Sequence, residues 1–316
     1  MAPSVPRPSG AARRVPGVTV IVVGAGIAGL ACARELIDAG VPARVLERGR
    51  VVGGRLASKR FDDRYADIGA AYLTADDPAF LGRLESWRIA GLAYPWTDTF
   101  AVFEDGRRTT TAGPVRWRAP GGLRSLAEDM ARELDVTLGH EVTEVPHAEA
   151  VVLAMPGPQA RRITSLDLEQ TWSPVLTAVL TYPQRSWPDF HGAFVNGHPV
   201  LATVCDDGDR RGDHAPVLVA HSTADFARPR LGDPAAAAGD LESAVRDLLG
   251  LPPAESVRVH RWTYAQPDPV PGRFHRQGHV YLAGDAFGKP RVQTAWRSGV
   301  AVAREIIRGR DHNRER

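Results

Sequence analysis

This 316-residue chain has little cysteine, little lysine and no long apolar run, and each shortage removes a class of explanation. Two cysteines, Cys32 and Cys205, cannot build a disulfide framework, and neither has the spacing of a metal ligand set. No stretch approaches the roughly 18 consecutive apolar residues of a membrane-spanning helix. Met1 to Gly17, rich in Pro, Ala, Ser and Arg, lacks an apolar core of signal-peptide length, so residues 1–16 read as a flexible leader and a cytoplasmic location is expected. Formal net charge is only +2, and no lysine and arginine block interleaves with aromatics. Neither nucleic acid nor an anionic membrane is therefore indicated as a partner. Lys59 and Lys289 are the only lysines, arginine supplies the remaining basic residues, and no internal repeat is present.

What is present is enough apolar material, 43% of residues, for about two domains at the usual length per domain. Val18 to Val23 is a β-branched run of the kind a strand buried on both faces requires. Gly24, Gly26 and Gly29 follow in G-x-G-x-x-G spacing. That spacing allows a tight turn, close approach of backbone to a pyrophosphate and close packing of the next helix. Ile27 and Ala28 stand at the start of that helix, where a diphosphate would sit. Leu30, Ala31, Ala33, Leu36 and Ile37 give it an apolar face, Arg34 and Asp38 are spaced to pair across one turn, and Gly40 closes it. A second strand, Ala43 to Leu46, ends at Glu47, whose carboxylate would accept hydrogen bonds from a ribose 2′-hydroxyl and repel a 2′-phosphate.

Beyond the acid comes a second glycine pair, in the order Glu47, Arg48, four residues, Gly53, Gly54, Arg55. Placed after the first fingerprint, this pattern resembles the glutathione-reductase-like flavoproteins, specifically the branch holding amine oxidases and renalases. Asp67 to Thr74, DIGAAYLT, is similar to that branch's segment where the chain leaves the FAD domain beside the flavin, which implies Gly69 and Ala70 near the cofactor and Tyr72 at the site border. Pro120 to Val145 resembles a helix and strand in which the residue matching Val142 meets the adenine through its backbone, and Val151 to Pro156 resembles the strand returning under the flavin. Val259 to Pro267, VHRWTYAQP, resembles the H-R-W-x-Y-A motif that marks renalases. Near the C-terminus Gly284 and Asp285 match a ligand for ribityl or diphosphate oxygens, and RVQTAWRSG matches a helix start facing the flavin pyrimidine, with Val292, Thr294 and Ala295 nearest. The positive end of that helix would stabilise charge developing on reduction. The cysteine used for covalent attachment is lacking, so the resemblance implies noncovalent FAD.

The expected fold is α/β: a Rossmann-like FAD-binding domain assembled from residues 17–75, 118–160 and 272–316, with an α+β substrate domain, 76–117 and 161–271, on a mostly antiparallel sheet. Thr177 to Tyr182, Pro199 to Val204, Val217 to His221 and Val257 to Thr263 read as its strands, and Asp240 to Leu249 as a helix with Asp240 at its N-cap. Between Val145 and Val151 only PHAEA remains where relatives commonly place a β-hairpin. Trp262 and Tyr264 share a strand face with His260, as a pocket wall or as core packing. His221 is a weaker candidate. Trp296 either closes the flavin edge or packs its helix, and Lys289 is either flavin-adjacent or a solvated loop residue. Lys289 and His260 are the candidates for chemistry. The resemblance implies a small-molecule hydride donor, such as a 2- or 6-dihydro-NAD(P) isomer, with molecular oxygen as electron acceptor. An amine or a carbocycle to be desaturated is the alternative substrate, and a nonenzymatic FAD-binding protein is the third reading.

Overall fold

The computed structural model describes residues 20–61, 63–187 and 189–314; the expected leader and the first two residues of the opening strand, Val18 and Thr19, lie outside them. From the start of the described chain run β1 (Val20–Val23), α1 (Ile27–Asp38), β2 (Ala43–Glu47), a hairpin of β3 (Ser58–Phe61) and β4 (Arg64–Asp67), α2 (Pro78–Ile89), β5 (Tyr94–Glu104) and β6 (Arg107–Arg118). There follow α3 (Arg124–Ala131), β7 (Asp135–Leu138), β8 (Ala150–Leu153), α4 (Gly157–Ala160), β9 (Trp172–Thr181), β10 (Gly192–Val195), β11 (Leu201–Asp206) and α5 (Asp207–Arg211). The last third holds β12 (Val217–Ser222), α6 (Ala224–Ala227), α7 (Ala238–Leu249), β13 (Ser256–Pro267), β14 (His275–Gln277), β15 (Val280–Leu282) and α8 (Val292–Arg314).

The β-branched VIVV of β1 takes the centre of a six-stranded sheet ordered β14-β15-β8-β1-β2-β7, parallel except for the β14–β15 hairpin. Its side chains alternate between two cores, as a strand covered on both faces must. Val20 and Val22 join the core under α1 and α8, and Ile21 and Val23 face the other side with Leu153 and Leu282. Arg34 does not pair with Asp38; its guanidinium instead donates to the carbonyls of Met130 and Arg132 at the end of α3. Free C-terminal carbonyls are the better partners for a cation. α2, expected in the second unit, adds Phe80, Leu84 and Trp87 to the first core, because Gln293 at the start of α8 accepts from the amides of Asp76 and Asp77 and holds it there.

The second sheet has seven strands ordered β13-β9-β12-β11-β10-β5-β6, antiparallel throughout except for the β5–β10 pair. Leu241 and Val245 of α7 cover one face together with Leu176, Leu180 and Leu218. α7 begins at Ala238, so Asp240 lies in its first turn rather than at its N-cap, and pairs with Arg230 at 3.2 Å. The link from Gly139 to Glu149 forms no helix or strand; its start is hydrogen-bonded to the end of β2, His140 N to Glu47 O at 2.9 Å.

Candidate functional site

A cavity of about 1220 Å³ lies between the C-terminal ends of β1 and β2 and the open face of the seven-stranded sheet. It exceeds the roughly 300–1,000 Å³ of ordinary small-molecule sites, leaving room for a dinucleotide and a second molecule. The β1–α1 turn forms one end. Gly24 has a φ of +110°, and a Cβ on Gly29 would stand 2.0 Å from the Gly24 carbonyl oxygen, so the helix can pack this closely only without a side chain. Gly29 therefore serves packing and does not line the cavity, whereas Gly24, Gly26, Ile27 and Ala28 do. Added Cβ atoms on Gly26 and Gly284 would meet nothing within 4 Å, and no side chain caps α1. The result is an open cradle beside an uncapped helix N-terminus, the arrangement a pyrophosphate needs.

Glu47 borders this cradle, its two oxygens accepting from Ala25 N at 2.8 Å and Gly49 N at 2.6 Å. Each oxygen keeps a lone pair for a ribose hydroxyl. Arg48 is exposed at the rim, and Val142 is half-buried on the same wall. The second glycine pair docks directly on the first turn, with Gly53 N donating to Ala25 O at 2.8 Å and Gly54 beside Gly26. Gly69 in turn lies on Arg55, where an added Cβ would sit 1.9 Å from its carbonyl, and Ala70 N donates to the same oxygen.

Asp285, expected as a ligand for cofactor oxygens, is joined to Arg55 of the second glycine pair. Arg55 Nη1 and Nη2 donate to both oxygens of Asp285 at 2.7 and 2.5 Å, and Nη1 also reaches Ala265 O at 3.0 Å. The guanidinium lies 5.0 Å from the Trp172 ring centroid. The C-terminal signature, β13 and the second glycine pair thus converge on one ion pair. Gly284, Val292 and Ala295 line the cavity beside it. Thr294 does not: its hydroxyl donates to the Lys289 carbonyl at 2.6 Å, and its side chain borders a smaller neighbouring cavity.

At the other end Tyr72, His260, Trp262 and Tyr264 all line the cavity. His260 stacks edge-on against Trp262 at 4.8 Å, and Trp262 Nε1 donates to Ile68 O at 2.8 Å, so the HRWTYA strand grips the DIGAAYLT loop. Arg210, fully buried, donates to the carbonyls of Asp67 and Ala71 and holds the same loop from α5. Burial alone would raise the neighbouring Asp207 carboxyl, but Arg210, Arg64 and Arg211 hold it below its ordinary value. Trp296 is turned away from the cavity and packs on Phe80 at 5.5 Å in the first core, since its place on α8 faces α2. Lys289 is exposed where the two cavities meet. His221 and His260 are both pushed down to about 4, mainly by desolvation, with Arg210 acting on the first and Lys59 on the second. Both imidazoles are neutral at pH 7.

Sequence reading missed Trp172, Arg116, Phe194 and Thr203, which also line this end. Trp172 lies across from Tyr264 through the pairing of β9 with β13, and Arg116 sits on an edge strand whose outer residues show no apolar alternation. Among the described residues no group of three or more His, Cys, Asp or Glu could hold a metal ion, and no helix is long and apolar enough to cross a membrane. Cys32 and Cys205 are buried, and desolvation raises both thiols.

The open glycine cradle, the uncapped helix and Glu47 fit an FAD diphosphate and ribose. The family model for flavin containing amine oxidoreductase matches residues 27–109 and 89–307. The chain is similar to putrescine oxidase of Kocuria rosea, 34% identical over 110 residues that span 34% of this chain and 22% of that protein. It is also similar to flavin-containing amine oxidase B of Cavia porcellus, 47% identical over 131 residues that span 36% of this chain and 24% of that protein. These matches span less than a quarter of either relative. Wild-type putrescine oxidase bound to putrescine shares the fold with a TM-score of 0.73 at 18% identity, covering 92% of this chain and 98% of that one. Cyclohexylamine oxidase from Brevibacterium oxydans IH-35A does so with a TM-score of 0.75 at 13% identity, covering 94% and 100%. With the family model matching most of its length, the chain belongs to the flavin-containing amine oxidoreductases, and its cofactor is FAD.

Proposed function

We propose that this protein is a renalase-like oxidase that takes hydride from a dihydronicotinamide isomer, such as 2- or 6-dihydro-NAD(P), and passes the electrons to molecular oxygen. One observation carries this reading. Of the carboxylates lining the cavity, Glu47 and Glu141 belong to the dinucleotide end and Asp285 is paired with Arg55 at the join, while the end beneath the seven-stranded sheet offers aromatic rings, hydroxyls, two neutral histidines and the cations Arg116, Arg162 and Arg261. A protonated amine entering there meets no counter-charge and loses its hydration. A dihydronicotinamide ring is uncharged at its reacting end and is already activated.

Noncovalent FAD supplies a hydride acceptor at flavin N5. The cradle at Gly24 to Ala28 would hold the diphosphate, Glu47 would accept from ribose, and the Arg55–Asp285 pair ties together the second glycine pair and the C-terminal signature. Trp262 and Tyr264 exclude water and present flat faces to a planar donor. His221 and His260, being neutral, give hydrogen bonds without adding charge beside a ring that becomes cationic on oxidation. No side chain has to remove a proton, since the donor's C–H bond breaks with its electron pair and the pyridine ring becomes aromatic.

Amine oxidation is the second reading, supported by the family and by a desolvated aromatic end in which a neutral amine would be favoured. Anaerobic mixing of the flavin-loaded protein with borohydride-generated NADH isomers separates the two. Rapid bleaching of the visible flavin band is expected. Bleaching with amines alone would overturn the proposal.

A further inference from the structure

Arg116, on β6, is 4% exposed and lines the cavity. Its Nη1 donates to the Asp98 carbonyl at 2.7 Å, and its guanidinium carbon lies 4.1 Å from the Phe100 ring centroid, 5.3 Å from Tyr72 and 5.7 Å from Phe194. The Tyr72 phenol is its other polar neighbour. Its Nε is buried without a hydrogen-bond partner.

Three other described arginines, Arg185, Arg211 and Arg291, also have an unpartnered buried Nε, but each is ion-paired to an aspartate. Among the described residues Arg116 has no such aspartate or glutamate. A buried guanidinium carries five N–H donors, of which one backbone carbonyl and one phenol use only a part. Aromatic faces stabilise the cation from above and below but accept no in-plane hydrogen bond from the fork. A charge buried this deeply without an anion is costly, and a ligand anion in the cavity would offset that cost.

We propose that Arg116, caged by Tyr72, Phe100 and Phe194, is an anion subsite that binds a carboxylate or phosphate group carried by the substrate. The inference rests on the reading above that substrate binds beneath the seven-stranded sheet. It also gives that reading its selectivity: a diamine would bring a second positive charge to Arg116, whereas a dinucleotide brings phosphate and a small acid brings carboxylate.

The test is calorimetric titration of the flavin-loaded protein with benzoate, phenyl phosphate and the neutral benzamide. At least one anion is expected to bind roughly 10-fold or more tighter than benzamide, the usual margin for a charge-assisted hydrogen bond. Arg116→Gln should abolish that margin and leave benzamide binding unchanged, while Arg116→Lys, which keeps the charge but loses the fork, should retain part of it. Tighter phenyl phosphate points to a dinucleotide, and tighter benzoate to a smaller acid. Equal affinity for all three probes, no binding of either anion, or a margin that survives in R116Q would overturn the subsite. If R116Q does not load flavin, the wild-type margin and its reduction in R116K still decide. Anion binding that depends on Arg116 without flavin bleaching by dihydronicotinamides would leave the subsite standing and remove the dihydronicotinamide reading. Bleaching without an anion margin would do the reverse.

Discussion

The two ends of the cavity are made of different material. Around the β1–α1 turn the contacts are backbone on backbone: Gly29 under the Gly24 carbonyl, Gly53 on Ala25, Gly69 on Arg55. Beneath the seven-stranded sheet the wall is made of side chains, from five different strands and a loop: Trp262, Trp172, His221, Thr203, Phe194, Tyr72. A backbone site needs particular residues, chiefly glycine, at fixed spacing along one segment. A side-chain site needs only that distant segments meet, and many residue types can satisfy it.

The comparison breaks most severely at Gly29. A methyl group there would overlap the Gly24 carbonyl, and the obstacle is main chain, which cannot rotate aside. Gly29→Ala is expected to cost about 3 kcal/mol or more and to yield protein that loads little flavin, read from the visible absorbance per protein and from thermal unfolding. A volume change at Trp262 should instead alter substrate turnover and leave flavin content near wild type. If G29A loads flavin normally, the dinucleotide end does not depend on backbone approach as argued.

That asymmetry also governs what could be read from the chain alone. Gly24, Gly26, Gly29, Glu47 and Gly54 were legible because the turn, the strand before it and the acid after it are local and periodic. Four strands of the second sheet were legible from their apolar runs, but β10 is short and the outer half of β6 is exposed on both faces, so neither carries an alternation to detect. Arg116 lies just past that exposed stretch, at the buried end of β6, where too few residues remain to show an alternation. Thr294 is expected at the flavin by its place at a helix start, and Trp296 is open between the flavin edge and the core; a helix turns side chains through 100° per residue, and the face that meets the cavity belongs to Val292 and Ala295. α2 falls within 76–117, the segment expected in the second domain, and packs on the first core because its attachment runs through Gln293, more than 200 residues away.

The Arg55–Asp285 pair sits at the join of the two ends and sharpens the comparison. Asp285 is nearly buried and Arg55 is 30% exposed at its side chain, so removing one partner leaves a largely desolvated charge. Arg55→Met is expected to destabilise by roughly 1–3 kcal/mol, less than a fully buried pair because Arg55 is partly solvated. Asp285→Asn should cost a similar amount, and the double variant less than the sum, since neither charge is then orphaned. Thermal unfolding of the four proteins measures the coupling. Additive effects would show that each side chain acts on its own.

The smallest expected effect, a change of slope with pH, concerns His221 and tests whether the histidines beneath the seven-stranded sheet are neutral. In the folded protein its pKa falls from 6.5 to about 4, first through desolvation and then through the Arg210 charge, while the unfolded chain keeps the ordinary value. Between pH 6.5 and 4 the unfolded state therefore holds more protons, and stability must fall as pH falls through that window; above 6.5 both states are neutral and the contribution is constant. The loss is on the order of 2 kcal/mol by pH 5 and about 3 kcal/mol by pH 4, and His260, lowered in the same direction, adds to the slope. Paired aspartates such as Asp209 and Asp213 are held below 3.8, whereas burial raises Asp206, so the contribution of His221 is read as the difference between its variant and wild type. His221→Asn should flatten the fall in unfolding free energy between pH 6.5 and 5 relative to wild type. A variant with an unchanged slope would mean that His221 is protonated as readily in the folded protein as in the unfolded one, and the end of the cavity beneath the sheet would then carry a further cation beside its arginines.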